Sequence, residues 1–391
     1  MTAGPGVRPP APVDERRLSG LRAEVRAFLR AELDAGTYTP APDNWMSGFD
    51  PAFSARLGAR GWLGMTMPKR YGGHARSLLE RFVVTEELLA AGAPVAAHWI
   101  ADRQMAPGIL ANGSEEQKRR YLPGIAAGEV FFAIGMSEPD AGSDLAAVRT
   151  RAVANEDGSW TITGTKVWTT GAHVAHAMVL LARTDGGPRD RHTGLSQFLV
   201  ELSHPGIEVR PLRSIDGGTH FNEVIFHDVR VGADALLGRR GNGWAQVMSE
   251  LAYERSGPER YLSTMPLLRA WAARLRRTGA TGATDEQRTV LGTLTAQAWA
   301  LRRMSLAVTA ELDAGRKPDV LAAMVKDLGS TFEGEVVEAI RACTEVEPRR
   351  AGGDPFARLL AAGVLHTPAF TLRGGTNEIL RGIVARGMGL R

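Results

Sequence analysis

The hydrophobic period of this chain changes twice, and few folds accommodate that. From Asp14 to Ala35 the apolar residues Leu18, Leu21, Val25, Phe28, Leu29 and Leu33 follow the spacing of one helix face. The segments PAFSARLGARG, LLERFVVTEELLAAG and SEEQKRRYLPGIAAG continue the helical reading to Phe131, with Ser114 heading an acidic turn. The period then falls to two. RTRAVANEDGSWTITGTKVWTT sets Asp157-Gly158 between two alternating runs, which predicts a β-hairpin. AMVLLART, SQFLVEL and GTHFNEVIFHDVRV add short strands. From Gly243 the helical period returns in three long segments, running to about Cys343, apt for a bundle. The expectation is an α+β chain: a disordered arm over 1–13, an α-helical domain over 14–131, a β domain over 132–240 and an α-helical bundle over 241–391.

Composition narrows what such a chain does. Its 391 residues exceed the roughly 100–200 of one domain, so several domains sharing interfaces are expected. The 47 basic and 43 acidic residues leave a net charge of only +4 with no long Lys/Arg run, which argues against nucleic acid. Cys343 is the single cysteine, so an intramolecular disulfide and a Cys-rich zinc site are excluded, no metal is expected, and a reducing compartment is favoured. The Pro/Gly-rich start lacks the apolar core of a signal peptide, and no run of about 18 apolar residues could span a membrane. A cytoplasmic location is therefore expected. No G-x-G-x-x-G fingerprint lies between a strand and a helix, so a Rossmann nucleotide site is unsupported.

Two stretches carry candidate chemistry. In GMSEPDAGSDLAAV, Ser137, Pro139, Gly142, Ser143 and Asp144 make a tight polar loop whose N–H groups and hydroxyls can hold a multi-acceptor ligand; taken alone, these residues favour a turn ending in a Ser/Asp helix cap. In GTKVWTT, Trp168 and Thr170 stand two apart and so share one face of an expected strand. An aromatic plate beside a hydroxyl suits a planar heterocycle, although a core tryptophan has the same signature.

The order of the segments separates these readings. A helical region, GMSEPDAGSD, GTKVWTT, a β segment, GRRGNGW, a helical bundle and a terminal GGTNEILR together resemble the acyl-CoA dehydrogenase family from about Leu18 to Leu390. The resemblance implies an N-terminal helical domain, a β-barrel-like middle domain and a C-terminal four-helix bundle, with FAD held between the last two. It implies removal of hydrogen from Cα and Cβ of an acyl thioester, with electrons passed to an electron-transfer flavoprotein. Met136, Ser137, Gly142 and Ser143 match flavin or substrate contacts, Ser143 both; Trp168 would flank the flavin ring and Thr170 its reactive nitrogen. Arg288, Thr376 and Glu378 complete the implied cofactor set. A homo-oligomer, dimer or tetramer, is implied as well.

Many members of that family carry their catalytic glutamate immediately before the terminal Gly-Thr, where this chain has Gly374. Glycine abstracts no proton. What the position offers is backbone: Gly374 and Gly375 admit unusual φ/ψ, Thr376 or Asn377 caps a helix, and N–H groups at that start suit a polarised thioester carbonyl. A family subset, the isovaleryl and long-chain enzymes among it, places the glutamate on the helix after the β domain, and counting from Gly241 brings that position to Glu254, with Arg255 beside it as a substrate contact. Pro258 predicts a kink just beyond. The competing reading of Glu254 is a solvated residue on a charged face formed with Glu250, Arg255, Glu259 and Arg260.

Departures from the family pattern concern the adenine end of the cofactor. RTVLG keeps Arg288 and Gly292 but has Leu291 for an aromatic, an expected glutamine is Trp299, and TEVEPRRAGGDPFARLL has no Q-x-x-G-G. Different dinucleotide contacts, or a heteromer in which a second type of subunit completes the pocket, would each explain this. A substrate carried on acyl-carrier protein instead of CoA, a flavin monooxygenase or oxidase on the same fold, and a non-catalytic partner subunit are the alternative functions. Acyl length and branching leave no mark in the sequence.

Overall fold

The computed structural model describes residues 13–186, 191–254, 257–277 and 282–390, with the backbone alone for 250–254. Most of the stretch read as an arm, 1–13, lies outside them. The chain divides into two compact units that alternate along the sequence: Met1–Gly48, Ser77–Pro94 and Ala252–Arg391 form one, Phe49–Arg76 and Val95–Leu251 the other.

The first part is helical, as the period predicts: α1 (Ser19–Asp34), α2 (Asn44–Ser47), α3 (Pro51–Ala59), α4 (Leu78–Ala90), α5 (Ala96–Ile100), α6 (Ala106–Asn112) and α7 (Glu115–Ala127). The starts are written in the side chains. Asp50 caps α3, and Ser77 with Glu80 and Ser114 with Gln117 close reciprocal capping boxes on α4 and α7. Val25, Phe28 and Leu29 form the buried face of α1.

Eight strands then form one sheet: β1 (Phe132–Gly135), β2 (Arg151–Ala154), β3 (Trp160–Lys166), β4 (Ala177–Arg183), β5 (Leu195–Glu201), β6 (Ile207–Leu212), β7 (Phe221–Val231) and β8 (Leu236–Leu237). Their order is β6-β7-β3-β2-β4-β5-β8, with β1 parallel to β4. The hairpin expected around Asp157-Gly158 joins β2 to β3, and Gly158 takes the positive φ of 83° that the turn needs. β4 is apolar at almost every position because both its faces are buried: Met178 and Leu180 pack with Phe198 and Phe226, while Ala177 and Val179 pack with Ile109, Leu122 and Phe132.

The helical period after Gly243 resolves into α8 (Gly243–Glu254), α9 (Met265–Arg277), α10 (Asp285–Asp313), α11 (Asp319–Ala342), α12 (Pro355–Phe370) and α13 (Asn377–Gly387). One expectation is overturned. The Trp244–Arg277 segment does not continue through a kink at Pro258: α8 ends at Glu254, and a 3-10 turn over Pro258–Arg260 precedes α9. Gly257, extended at ψ 169°, obeys the steric restriction on a residue before proline. The charged face drawn through this region is also corrected, since Glu259 and Arg260 are only 2% and 3% exposed.

Among the described residues no helix is long and apolar enough to cross a membrane, and no group of three His, Cys, Asp or Glu side chains could hold a metal.

Candidate active site

In the unit that holds the sheet, the loop after β1 is built around one buried ion pair. The Glu138 carboxylate accepts from Lys166 Nζ at 2.8 Å and from the backbone N–H groups of Arg149 at 2.6 Å and Thr150 at 2.9 Å. Lys166 is fully buried on β3 and also donates to the Met136 carbonyl at 3.0 Å. Reciprocal backbone bonds between Glu138 and Ala141 close the Pro139-Asp140 turn, leaving Gly142 and Ser143 exposed and Met136 and Ser137 half-buried. The Lys166 ammonium is pushed down to about 8 by burial, opposed by Glu138. Burial works against the Glu138 charge as well, yet Lys166 and the hydrogen bonds hold the carboxyl below its ordinary range. Both residues sit inside the two motifs that the sequence singles out, but a pairing across 28 positions leaves no local signal in it.

That anchor shapes the turn beyond β3. The strand stops at Lys166, so the shared strand face expected for Trp168 and Thr170 does not exist. Trp168 instead has φ 59°, a genuine outlier for so large a side chain. The strain persists because its neighbours are pinned: Val167 N–H donates to Ser137, Thr169 N–H to Asn222, and Gly171 N–H to His220. The indole is thereby held 61% exposed, edge-on to Phe221 at 5.8 Å. Beside it the Thr169 Oγ1 is buried without a partner. A rigid, exposed aromatic plate with hydroxyls and open glycine backbone nearby fits one face of a planar heterocycle.

The terminal turn lies in the other unit. Gly374 and Gly375 adopt φ of 68° and 90°, the left-handed geometry for which glycine is needed. Of the two caps considered, Thr376 is the one used, its Oγ1 facing Ile379 N–H at 3.5 Å. Among the described residues the N–H groups of Gly374, Gly375 and Thr376 meet no acceptor. Asn377 is instead a buried hub, accepting from Lys326 Nζ and Ser330 Oγ, both at 3.0 Å. Glu378 lies exposed in the first turn of α13, its carboxyl lowered by its own backbone N–H and by Thr376. Arg288, near the start of α10, pairs with Asp285 at 2.7 Å. Glu254 is the last residue of α8, with its side chain outside the description; Arg255 lies outside the described residues altogether.

Behind the turn stands a buried ionic cluster with no signature in the sequence. Arg373 donates to Asp43 at 2.6 Å and to Ser263 Oγ at 3.2 Å, and that hydroxyl accepts from the Trp45 indole at 3.0 Å. Glu333 accepts from the Ser263 N–H at 2.7 Å. Burial raises the Glu333 carboxyl to about 7 against the opposing charge of Arg373. Burial, with Arg260 and Arg373 adding to it, lowers Lys326 to about 7. A carboxyl whose folded pKa is raised contributes stability present in full below its unfolded value near 4.5 and lost as pH rises through about 7. Glu333→Gln, which imitates the protonated acid, is expected to lose less thermal midpoint than the parent between these limits. Parallel melting curves across that range would show that Glu333 does not titrate there.

Comparison with known proteins covers almost the whole described chain. Models of the acyl-CoA dehydrogenase N-terminal, middle and C-terminal domains match residues 16–129, 133–229 and 241–389. Acyl-CoA dehydrogenase FadE29 of Mycobacterium tuberculosis is 34% identical over 383 residues, 93% of this chain and 94% of its own. Acyl-CoA dehydrogenase IpdE1 of the same organism is 39% identical over 241 residues, 60% of this chain and 62% of its own. Among solved structures, the Tcur3481-Tcur3483 steroid ACAD superposes with a TM-score of 0.85 at 29% identity, covering 97% of this chain and 99% of that one. A chain of the ChsE4-ChsE5 complex from Mycobacterium tuberculosis gives 0.81 at 28%, with 97% and 99% covered.

Proposed function

Because the chain belongs to the acyl-CoA dehydrogenase family of flavoprotein oxidoreductases, we propose that it is an FAD-dependent α,β-dehydrogenase of an acyl-CoA that passes its electrons to an electron-transfer flavoprotein. The observation that carries this reading is Trp168, an exposed indole on a strained backbone next to the MSEPDAGS loop that Glu138 and Lys166 lock in place. Structural economy alone would not maintain such a residue.

FAD, when bound, supplies the acceptor for the hydride leaving Cβ. Met136, Ser137, Gly142, Ser143, Trp168, Thr170, Arg288, Thr376 and Glu378 would hold it. Glu254, as carboxylate, takes the proton from Cα. The N–H groups on the Gly374 side donate to the thioester carbonyl, which stabilises the negative charge that grows on its oxygen as the Cα–H bond breaks. Ser143 and Arg255 contact the substrate.

The purified protein is expected to be yellow, with non-covalent FAD, and to bleach anaerobically with an acyl-CoA. A colourless protein that takes up no FAD on titration would contradict the cofactor assignment. Rapid oxygen consumption after reduction would instead favour an oxidase or monooxygenase.

An assembly of at least two subunits accompanies this reading, and a second observation favours one with a second type of subunit. Arg288 is engaged by Asp285, and Trp299, where glutamine is expected, stands 65% exposed on the same helix. Two similar proteins, the Tcur3481-Tcur3483 steroid ACAD and the ChsE4-ChsE5 complex, carry paired names, the second as a complex. Light scattering of the chain alone and after co-expression with such a partner distinguishes the two assemblies.

A further inference from the structure

Position 374 is occupied in an unusual way. A Cβ placed on Gly374 would stand 3.0 Å from both Nη1 and Nη2 of Arg260 and 3.2 Å from its Cζ. The guanidinium therefore lies close beside the glycine, so that a side chain begun there would require it to give by a few tenths of an ångström. Arg260 is itself fixed from several directions. Its Nε is 3.9 Å from the Glu259 carboxylate, and its Cζ lies 5.5 Å from the centre of the Trp45 ring, which also carries Arg373 at 4.6 Å. Its carbonyl presses on α11 where residue 329 is glycine: a Cβ there would be 2.2 Å from the Arg260 oxygen.

We propose that Arg260 is a positioning residue of the acyl-thioester site: its guanidinium seats the Gly374 turn so that the N–H groups of Gly374, Gly375 and Thr376 stay directed at the substrate carbonyl, and it crowds any side chain placed at position 374. The proposal rests on the dehydrogenase reading for the carbonyl, and on this geometry for the seat. It explains why glycine stands where many relatives keep their base. A carboxylate there would need both a left-handed backbone, at φ 68°, and a shift of the Arg260 guanidinium that stands 3.0 Å from its Cβ. It also places a positive charge next to Gly374, where it adds to the field of nearby N–H donors.

The test is a double-mutant cycle on the FAD-loaded, full-length protein with butyryl-, isovaleryl- and palmitoyl-CoA as probes. Arg260→Ala and Arg260→Lys are expected to lower kcat by about 10²-fold, the effect of a misplacement near 1 Å, with KM changed only a few-fold. Gly374→Ala should lower the thermal midpoint of the parent sharply and that of Arg260→Ala less, because in the second background only the backbone strain remains. Gly374→Glu should not restore turnover to a Glu254→Gln protein unless Arg260 is also removed. Parent-like kcat in both Arg260 variants, or an equal midpoint loss from Gly374→Ala in both backgrounds, overturns the assignment. A parent that none of the probes reduces overturns the carbonyl role together with the dehydrogenase reading, while the midpoint cycle, which needs no turnover, still decides the seat.

Discussion

Glu254→Gln is expected to bind FAD and acyl-CoA as the parent does, with its flavin bleached by substrate ~10²–10⁴ times more slowly, the range that a positioned general base supplies. The amide keeps the size and shape of the side chain and loses only the basic oxygen, so binding and chemistry separate cleanly. Stopped-flow absorbance under anaerobic conditions reads the effect directly. Glu259, a little further along the chain, is a poor control: it is buried next to Arg260, and removing its charge disturbs the seat of Gly374. Bleaching by Glu254→Gln at the parental rate would remove the residue from the mechanism and assign the Cα proton to another base.

Lys166→Met should cost stability on the scale of about 3–5 kcal/mol, because it leaves the Glu138 carboxylate buried without its ammonium. Its pH dependence has a definite sign. In the parent, Glu138 is held below its ordinary pKa, so its contribution is present above about 4.5 and lost as pH falls. In the variant the uncompensated carboxyl takes up a proton on folding, which favours the folded state at low pH. The gap in urea midpoint between the two proteins should therefore narrow from about pH 8 to about pH 5. Glu138→Gln added to Lys166→Met should recover much of the loss, since breaking a buried pair costs more than replacing it. FAD loading should fall with the single change, because the same pair fixes Met136 and the seat of Trp168. A single variant as stable as the parent, with parental FAD content, would show that the loop has another anchor.

What the residues disclose divides along a physical line. Local signals hold: capping boxes at Ser77 and Ser114, the Asp157-Gly158 hairpin, and the change of period at Phe131 all depend on near neighbours. Alternation, by contrast, puts Trp168 on a strand face and says nothing of a positive φ imposed by bonds to Ser137, Asn222 and His220. Glu259 and Arg260 read as solvated because charge in a sequence does not disclose burial, and α11, which presses on Arg260 at Gly329, comes far later in the chain. The Asp43–Arg373 pair spans 330 positions, beyond any periodicity.

The alternation of the two units has a consequence for biosynthesis. Glu15 is paired with Arg302, while Arg22 and Arg26 are paired with Glu87, itself on α4. At roughly 5–20 residues per second, Glu15 leaves the ribosome about 15–60 s before its partner is made. Through that interval α1 has only α4 to lie against, and the unit that contains both cannot close until the last helices are released. The sheet unit, complete by Leu251, finishes first. A nascent chain halted near residue 300 should thus carry a protease-resistant sheet and a cleavable amino-terminal helix.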